Sequence, residues 1–373
     1  MKKVKEGKAE LVLSDKVFFN PQMELCRDIS SIAVGAYCRE LGRKMHLVDG
    51  LCATGARGIR YGKENDCIGK VEFVDMDENA CKLAGRNAKL NKLKSYKVHC
   101  CHINDFLFHN RVFDWVEIDP FGTPLPYLQS ALASFRKEGM LSVTATDTAV
   151  LCGAHPRACL KNYGATPIDN EYCHEIGVRI LAGAVVRQAS TLNLGVEFYL
   201  SLSVQHFFKL FVKLRAGADG AVAGMKKLGY ISHCPICLHR EWRFNPPLLK
   251  EKCPKCGGKL MHAGPLFLGE LWNARFLGCM REINRQRDYG NKLKIDEILS
   301  LMEEEAGMPP TYFDLHKVAE KVRKSPPNFE SFIEKLRQKG FKVSRTHFKR
   351  NSVRSNAGIK DVSSVFYHRT NFQ

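Results

Sequence analysis

The chain has 373 residues, 45% of them hydrophobic, more than one ordinary core holds and enough for a large domain with a smaller one attached. No apolar run approaches the roughly 20 residues that cross a bilayer, and Met1-Lys2-Lys3-Val4-Lys5-Glu6 lacks the apolar stretch of a secretory leader. A cytoplasmic protein with no membrane partner is therefore expected, and nothing in the sequence calls for an obligate protein partner. Lysine and arginine outnumber aspartate and glutamate by 57 to 39, a net charge of +18 that points to a polyanion, nucleic acid before any other.

From residue 45 to about 146, short β-rich apolar runs alternate with helical stretches, the pattern of a doubly wound parallel sheet. Strands are expected at 46–49, 71–75, 96–99, 115–119 and 140–144, with a helix at 78–90. Asp49, Asp75 and Asp119 all fall at strand ends, beyond which such sheets bind their ligands. A further helix at 172–188 and strands at 194–202 and 207–214 complete the sheet, giving a first domain over 1–230. The stretch 231–265 is loop-like and rich in cysteine, proline and glycine, as in a small inserted module. Helices at 295–305, 314–323 and 328–339, a strand at 341–344 and a basic stretch through Arg345, Lys349, Arg350 and Arg354 suggest a winged-helix-like domain over 266–373.

Residues 48–58, Val-Asp-Gly-Leu-Cys-Ala-Thr-Gly-Ala-Arg-Gly, leave a strand and open a helix, where small residues let backbone approach a nucleoside closely. Asp75 lies twenty residues after Gly55, in the place where a carboxylate accepts from ribose hydroxyls. A glycine turn alone is weak evidence, and a strand-end aspartate alone reads as a helix cap; together they indicate a nucleoside-containing cofactor. Asp105 either accepts from an adenine amino group, with Phe106 near the ring, or is a turn residue.

Asp119-Pro120-Phe121-Gly122 closes an apolar strand and carries the most specific chemistry. An exocyclic amine on a purine is a poor nucleophile because its lone pair is delocalised into the ring. A carboxylate accepting its N–H localises that pair and can take the proton as charge develops. Proline fixes the backbone, an aromatic ring stacks on the base and glycine leaves room for it. Methylation at carbon would instead use a cysteine nucleophile; Cys52 and Cys152 are present, each equally readable as a small buried hydrophobe. The fifteen cysteines are scattered through apolar segments, Cys26, Cys38, Cys81 and Cys173 among them, which suits free thiols better than a disulfide framework. Cys234, Cys237, Cys253 and Cys256 differ: two C-x-x-C knuckles separated by fifteen residues have the spacing of a zinc ribbon. With four sulfur ligands no position is open for a reactive water, so the expected zinc is structural.

These segments resemble the archaeal and eukaryotic tRNA (guanine-N2) dimethyltransferases, which act on guanine 26, between the D and anticodon stems. The likeness runs through Phe18-Phe19-Asn20-Pro21, Cys26-Arg27-Asp28, the loop 53–60, Asp119-Pro120-Phe121-Gly122, the block 144–156 and Ser344-Arg345-Thr346-His347-Phe348. The resemblance implies a Rossmann-like class I methyltransferase sheet using S-adenosyl-L-methionine on tRNA. It further implies that Arg27 and Arg57 hold the methionine carboxylate, Asp75 with Met76 the ribose and adenine, and Asp105 with Phe106 the adenine edge. Asp119 would be the catalytic acceptor, with Phe18 and Phe121 sandwiching the guanine. Phe106-Leu107 stands where the family usually has Ala-Asn. Rival readings are an amino-methyltransferase acting on adenine N6 of DNA or ribosomal RNA, and a non-catalytic nucleic-acid adaptor built on the zinc ribbon.

Overall fold

The computed structural model describes residues 2–135, 137–244 and 248–367. The chain begins with a hairpin of β1 (Lys3–Glu6) and β2 (Ala9–Val12), followed by the long helix α1 (Glu24–Leu41). Strands and helices then alternate through β3 (Met45–Gly50), α2 (Ala56–Glu64), β4 (Ile68–Asp75), α3 (Glu78–Leu90), β5 (Tyr96–Cys100), α4 (Ile103–His109), β6 (Trp115–Ile118), α5 (Leu125–Ala133) and β7 (Glu138–Ala145). Short helices α6 (Thr148–Leu151) and α7 (Pro156–Tyr163) lead to α8 (Cys173–Thr191) and the hairpin of β8 (Leu194–Val204) and β9 (Phe207–Ala216).

These strands form one seven-stranded sheet in the order β5-β4-β3-β6-β7-β9-β8, with β9 antiparallel to both neighbours and the β5-to-β7 pairings parallel. Helices cover both faces, so the central strands are apolar without alternation: Val71, Phe73 and Val74 on β4, and Trp115, Val116 and Ile118 on β6, are all buried. Chain order reverses between β3 and β6, and a crevice is expected beyond their carboxyl ends.

Sequence periodicity gave no warning of α1, because the thirteen residues 25–37 are all buried and no polar face remains to mark a helix. Its buried charges are paired. Arg27 forks onto Glu6 with both contacts at 2.6 Å, and Arg60 reaches Glu6 at 2.9 Å, Asp28 at 2.5 Å and Glu64 at 3.0 Å. Cys38, read as a free thiol, is instead joined to Cys67, because the end of α1 packs beside the turn into β4 with the two Cα atoms 6.0 Å apart. The other thirteen cysteines are free.

After α9 (Ala218–Met225), the stretch expected to be loop-like contains three strands, β10 (Leu228–His233), β11 (Arg240–Phe244) and β12 (Met261–Phe267), paired antiparallel in the order β11-β10-β12. The cysteine knuckles interrupt the apolar pattern, and the polar run Arg240-Glu241-Trp242-Arg243 of β11 gives no strong strand signal. Helices α10 (Ala274–Arg285) and α11 (Lys292–Glu305) join the main core through Leu277, Met280, Ile295 and Leu299. The final elements are β13 (Phe313–Asp314), α12 (Leu315–Val322), α13 (Phe329–Gln338), β14 (Val343–Arg345), β15 (Ser352–Ser355) and α14 (Ile359–Ser364). They enclose a separate core of Phe313, Leu315, Val318, Phe332, Leu336 and Val353 against the sheet β13-β15-β14. Arg354 is not part of an exposed basic stretch: it is buried, 2.9 Å from Glu175 and ion-paired with Glu305, tying this unit to α8 and α11. Among the described residues no helix is long and apolar enough to cross a membrane.

Candidate active site

A cavity of about 610 Å³ opens beyond the carboxyl ends of β3, β4 and β6, at the place where strand order reverses. One wall is the turn from β3 into α2. Leu51, Ala53 and Gly55 take φ values of 60°, 46° and 74°, so the turn is held in left-handed backbone at three positions. A Cβ on Gly58 would lie 2.6 Å from the Phe73 ring and 2.9 Å from Asp49 Oδ2, which explains why only glycine fits there. Asp49 Oδ2 accepts from the Gly58 N–H at 2.8 Å. Burial pushes the Asp49 carboxyl up to about 7, with the Gly58 bond opposing.

Asp75, at the end of β4, accepts from the Ala53 N–H at 2.9 Å and from the Asp77 N–H at 3.0 Å. It therefore pins the loop while its carboxylate lines the cavity beside Met76, which is 70% exposed. Arg57, in the first turn of α2, is buried, ion-paired with Asp119 and 3.6 Å from Glu117. Arg27 lines the same cavity from α1, held by Glu6 and packed over the Phe19 ring at 4.9 Å.

Asp119 follows β6 and forms part of the cavity wall, its side chain 23% exposed. Burial raises its carboxyl, but Arg57 and then Lys209, reinforced by a bond from Thr144, more than offset this and hold it below the ordinary aspartate range. Lys209 is buried on β9 and anchored to Glu117 and, at 2.8 Å, to Thr144. Asp119 is thus a carboxylate at neutral pH. After it, Gly122 takes φ 75° and donates its N–H to Thr146 Oγ1 at 2.7 Å, turning the backbone so that Phe121 stands at the mouth. Phe18 and Phe121 are 57% and 77% exposed and meet edge to face with centroids 4.7 Å apart. Two large exposed aromatic rings at a cavity mouth form a stacking platform for a flat ligand.

Sequence reasoning thus brings Phe18, Arg27, Arg57, Asp75, Met76, Asp119 and Phe121 to one cavity. Asp105 and Phe106 do not line it. In α4 the residues Ile103, Phe106 and Leu107 face the core at helical spacing, so Phe106 stacks on Phe113 at 5.7 Å and Asp105 is left outside on the exposed face. Tyr127, Thr146, the β8–β9 turn residues Gln205 and His206, and Phe207 at the start of β9 also line the cavity, and no sequence reading assigned them a role. A turn far along the chain comes to the site only through the pairing of β9 with β7, which leaves no local signal.

The four knuckle cysteines converge outside this cavity. All four Sγ atoms lie within 4.8 Å of one another, with Cys234–Cys256 at 3.5 Å and Cys237–Cys253 at 3.6 Å. A tetrahedron with zinc–sulfur bonds of about 2.3 Å has edges of about 3.8 Å, so the four thiols are spaced to hold a metal ion.

Residues 1–367 match the family described as N2,N2-dimethylguanosine tRNA methyltransferase. The chain is 36% identical over 351 residues to the tRNA (guanine(26)-N(2))-dimethyltransferase of Methanobrevibacter smithii, covering 94% of this chain and 90% of that protein. It is 34% identical to the tRNA (guanine(26)-N(2)/guanine(27)-N(2))-dimethyltransferase of Aquifex aeolicus, over 97% of this chain and 95% of that one. Among solved structures, Trm1 from Pyrococcus horikoshii in complex with S-adenosyl-L-methionine superposes with a TM-score of 0.89 at 31% identity, covering 98% of this chain and 99% of that one. The chain belongs to the N2,N2-dimethylguanosine tRNA methyltransferase family.

Proposed function

We propose that this protein transfers methyl groups from S-adenosyl-L-methionine to the exocyclic N2 of guanine 26 in tRNA, once and then a second time. The observation that carries the reading is Asp119, an ionised carboxylate in the wall of the cavity beneath two exposed aromatic rings. Family membership and the relatives named for this reaction on guanine 26 support it.

The cavity fits such a cofactor. Its turn of left-handed residues would admit a nucleoside close to backbone, Asp75 in the cavity wall would accept from its ribose hydroxyls, and Arg57 and Arg27 would offer guanidinium groups to its carboxylate. Both arginines would hold the methionine carboxylate, and each already carries an ion pair, Arg57 with Asp119 and Arg27 with Glu6. Met76 would lie against the adenine, while Asp105 and Phe106, expected at the adenine edge, lie off the cavity wall. The cofactor supplies an electrophilic methyl group. Arg57 would turn from Asp119 towards the carboxylate, which would leave an Asp119 oxygen for the base. Asp119 would then accept a hydrogen bond from N2–H, direct the nitrogen lone pair at the methyl carbon, and take the proton as the carbon–nitrogen bond forms and the methyl carbon's bond to the cofactor sulfur breaks. An acceptor that binds one N–H serves equally for the monomethylated amine, which still carries one. Phe18 and Phe121 part to stack on the guanine from both sides.

The four-cysteine module would hold a structural zinc ion as a zinc ribbon, since no ligand position is left for substrate. The unit from Phe313 onward would serve as a winged-helix-like tRNA-binding domain: α12 and α13 precede the β14–β15 hairpin, and Arg345, Lys349 and Arg350 are exposed there. A tRNA substrate fits a cytoplasmic protein, or a nuclear or organellar one in a eukaryotic cell.

The test is transfer of labelled methyl groups to unmodified tRNA by the wild type and Asp119→Ala, with analysis of the nucleosides formed. Dimethylguanosine made by the wild type and lost in the variant is the expected result. Methyladenosine would move the assignment to an adenine N6 enzyme, and no transfer at all to an adaptor.

A further inference from the structure

A second thiol cluster lies outside the cavity and outside the four-cysteine module. Cys152 caps the carboxyl end of α6, Cys173 opens α8 and His174 follows it. The two Sγ atoms and one imidazole nitrogen all lie within 4.8 Å of one another, with Cys173 Sγ 3.7 Å from His174 Nδ1. Two thiols and an imidazole are the donor set of a borderline-soft divalent ion, zinc above all, and ligands bonded at about 2.0–2.3 Å to one ion come to rest about 3.5–3.8 Å apart. A small closing movement satisfies that geometry.

The surrounding packing brings the donors together. A Cβ on Gly177 would lie 2.6 Å from the Phe208 ring and 3.2 Å from Leu151 Cβ, so this glycine lets α8 press against α6 and bring Cys173 to Cys152. The His174 ring stands edge-on to Phe208 at 6.4 Å. Cys152 and Cys173 are half-buried and His174 is exposed, so an ion can enter from solvent. None of the three lines the methyl-transfer cavity, which leaves Cys152 without a role as nucleophile there.

We propose that Cys152, Cys173 and His174 form a zinc site, distinct from the four-cysteine cluster, that staples α6 to α8 behind the catalytic loop. Thr146, which anchors Gly122 and lines the cavity, lies six residues before Cys152, so the ion fixes the segment on which that loop rests. Three protein ligands leave the fourth position to solvent.

The experiment is metal content per chain. Full-length protein is saturated with Zn2+, freed of excess by gel filtration and measured by elemental mass spectrometry. Cys173→Ser and His174→Ala are each expected to hold one zinc ion fewer than the wild type, whatever the four-cysteine cluster retains. If Cys173→Ser does not fold, the surface variant His174→Ala decides by the same count. Zinc content unchanged in both variants overturns the proposal, as does a Cys152–Cys173 disulfide found by non-reducing peptide mapping of protein purified under reducing conditions.

Discussion

Asp49 and Asp119 stand at the carboxyl ends of two neighbouring parallel strands, β3 and β6, and both face the same cavity, yet their surroundings drive them apart. Burial pushes Asp49 up to about 7, with one backbone N–H opposing. Burial pushes Asp119 in the same direction, but Arg57 and Lys209 outweigh it and hold the carboxyl below the ordinary range. The fold supplies the position, and the neighbouring charges decide the role. One carboxyl fastens the loop and tolerates a proton; the other is kept charged, ready to accept a bond from a base. Titratable groups whose environments separate their pKa values often divide the labour of a site in this way.

The widest gap between the two should come from Asp119→Asn. Its amide keeps the shape and one acceptor oxygen but cannot take a proton, so single-turnover methyl transfer is expected to fall by about 10²–10⁴ while cofactor binding persists. A rate within tenfold of wild type would remove Asp119 from the chemistry. Next in size is the effect of Lys209→Gln. The carboxylate form of Asp119 is the active one, and Lys209 is the second of the two cations that lower it. Removing that charge raises the carboxyl, so the acid limb of the kcat/KM profile shifts to higher pH. Loss of a buried charge partner for Glu117 also costs about 3–5 kcal/mol of stability, which is why the limb position, and not the rate at one pH, is the readout. An acid limb that stays in place would show that Arg57 alone sets the state of Asp119.

How much of this contrast could be read from sequence depends on whether the determining neighbour is local. Asp49, Asp75 and Asp119 were legible because strand ends follow from apolar runs, and the helix at 78–90 because its apolar face repeats; its start is fixed in the structure by the Asp77 cap. The C-x-x-C knuckles carry their own spacing. Lys209 was not legible: it lies in an apolar strand of the closing hairpin and reaches Glu117 across the sheet, 92 residues away. The inward turn of Phe106 was not legible either, because the helix turn of α4 decides which of two adjacent residues faces the core. The buried helix α1 and the pairing of Cys38 with Cys67 likewise depend on long-range packing that periodicity does not record.

The effect that isolates the other carboxyl is on stability, and per pH unit it is the smallest of the three. Asp49 binds its proton more tightly in the folded chain, at about 7, than at the ordinary value of 3.8 expected when unfolded. A raised carboxyl stabilises the fold fully below the unfolded value, and that contribution is lost as pH climbs through the folded one. Wild-type stability should therefore decline between pH 3.8 and about 7 on account of Asp49, by on the order of 1 kcal/mol per pH unit within that window. Asp49→Asn retains an oxygen for the Gly58 N–H and cannot ionise, so its chemical denaturation midpoints should lack that part of the decline, and the difference from wild type should grow in favour of the variant as pH rises. Parallel curves for the two proteins would mean that Asp49 keeps its charge in the folded state, and the two strand ends would then differ only in reach towards the cavity, not in protonation.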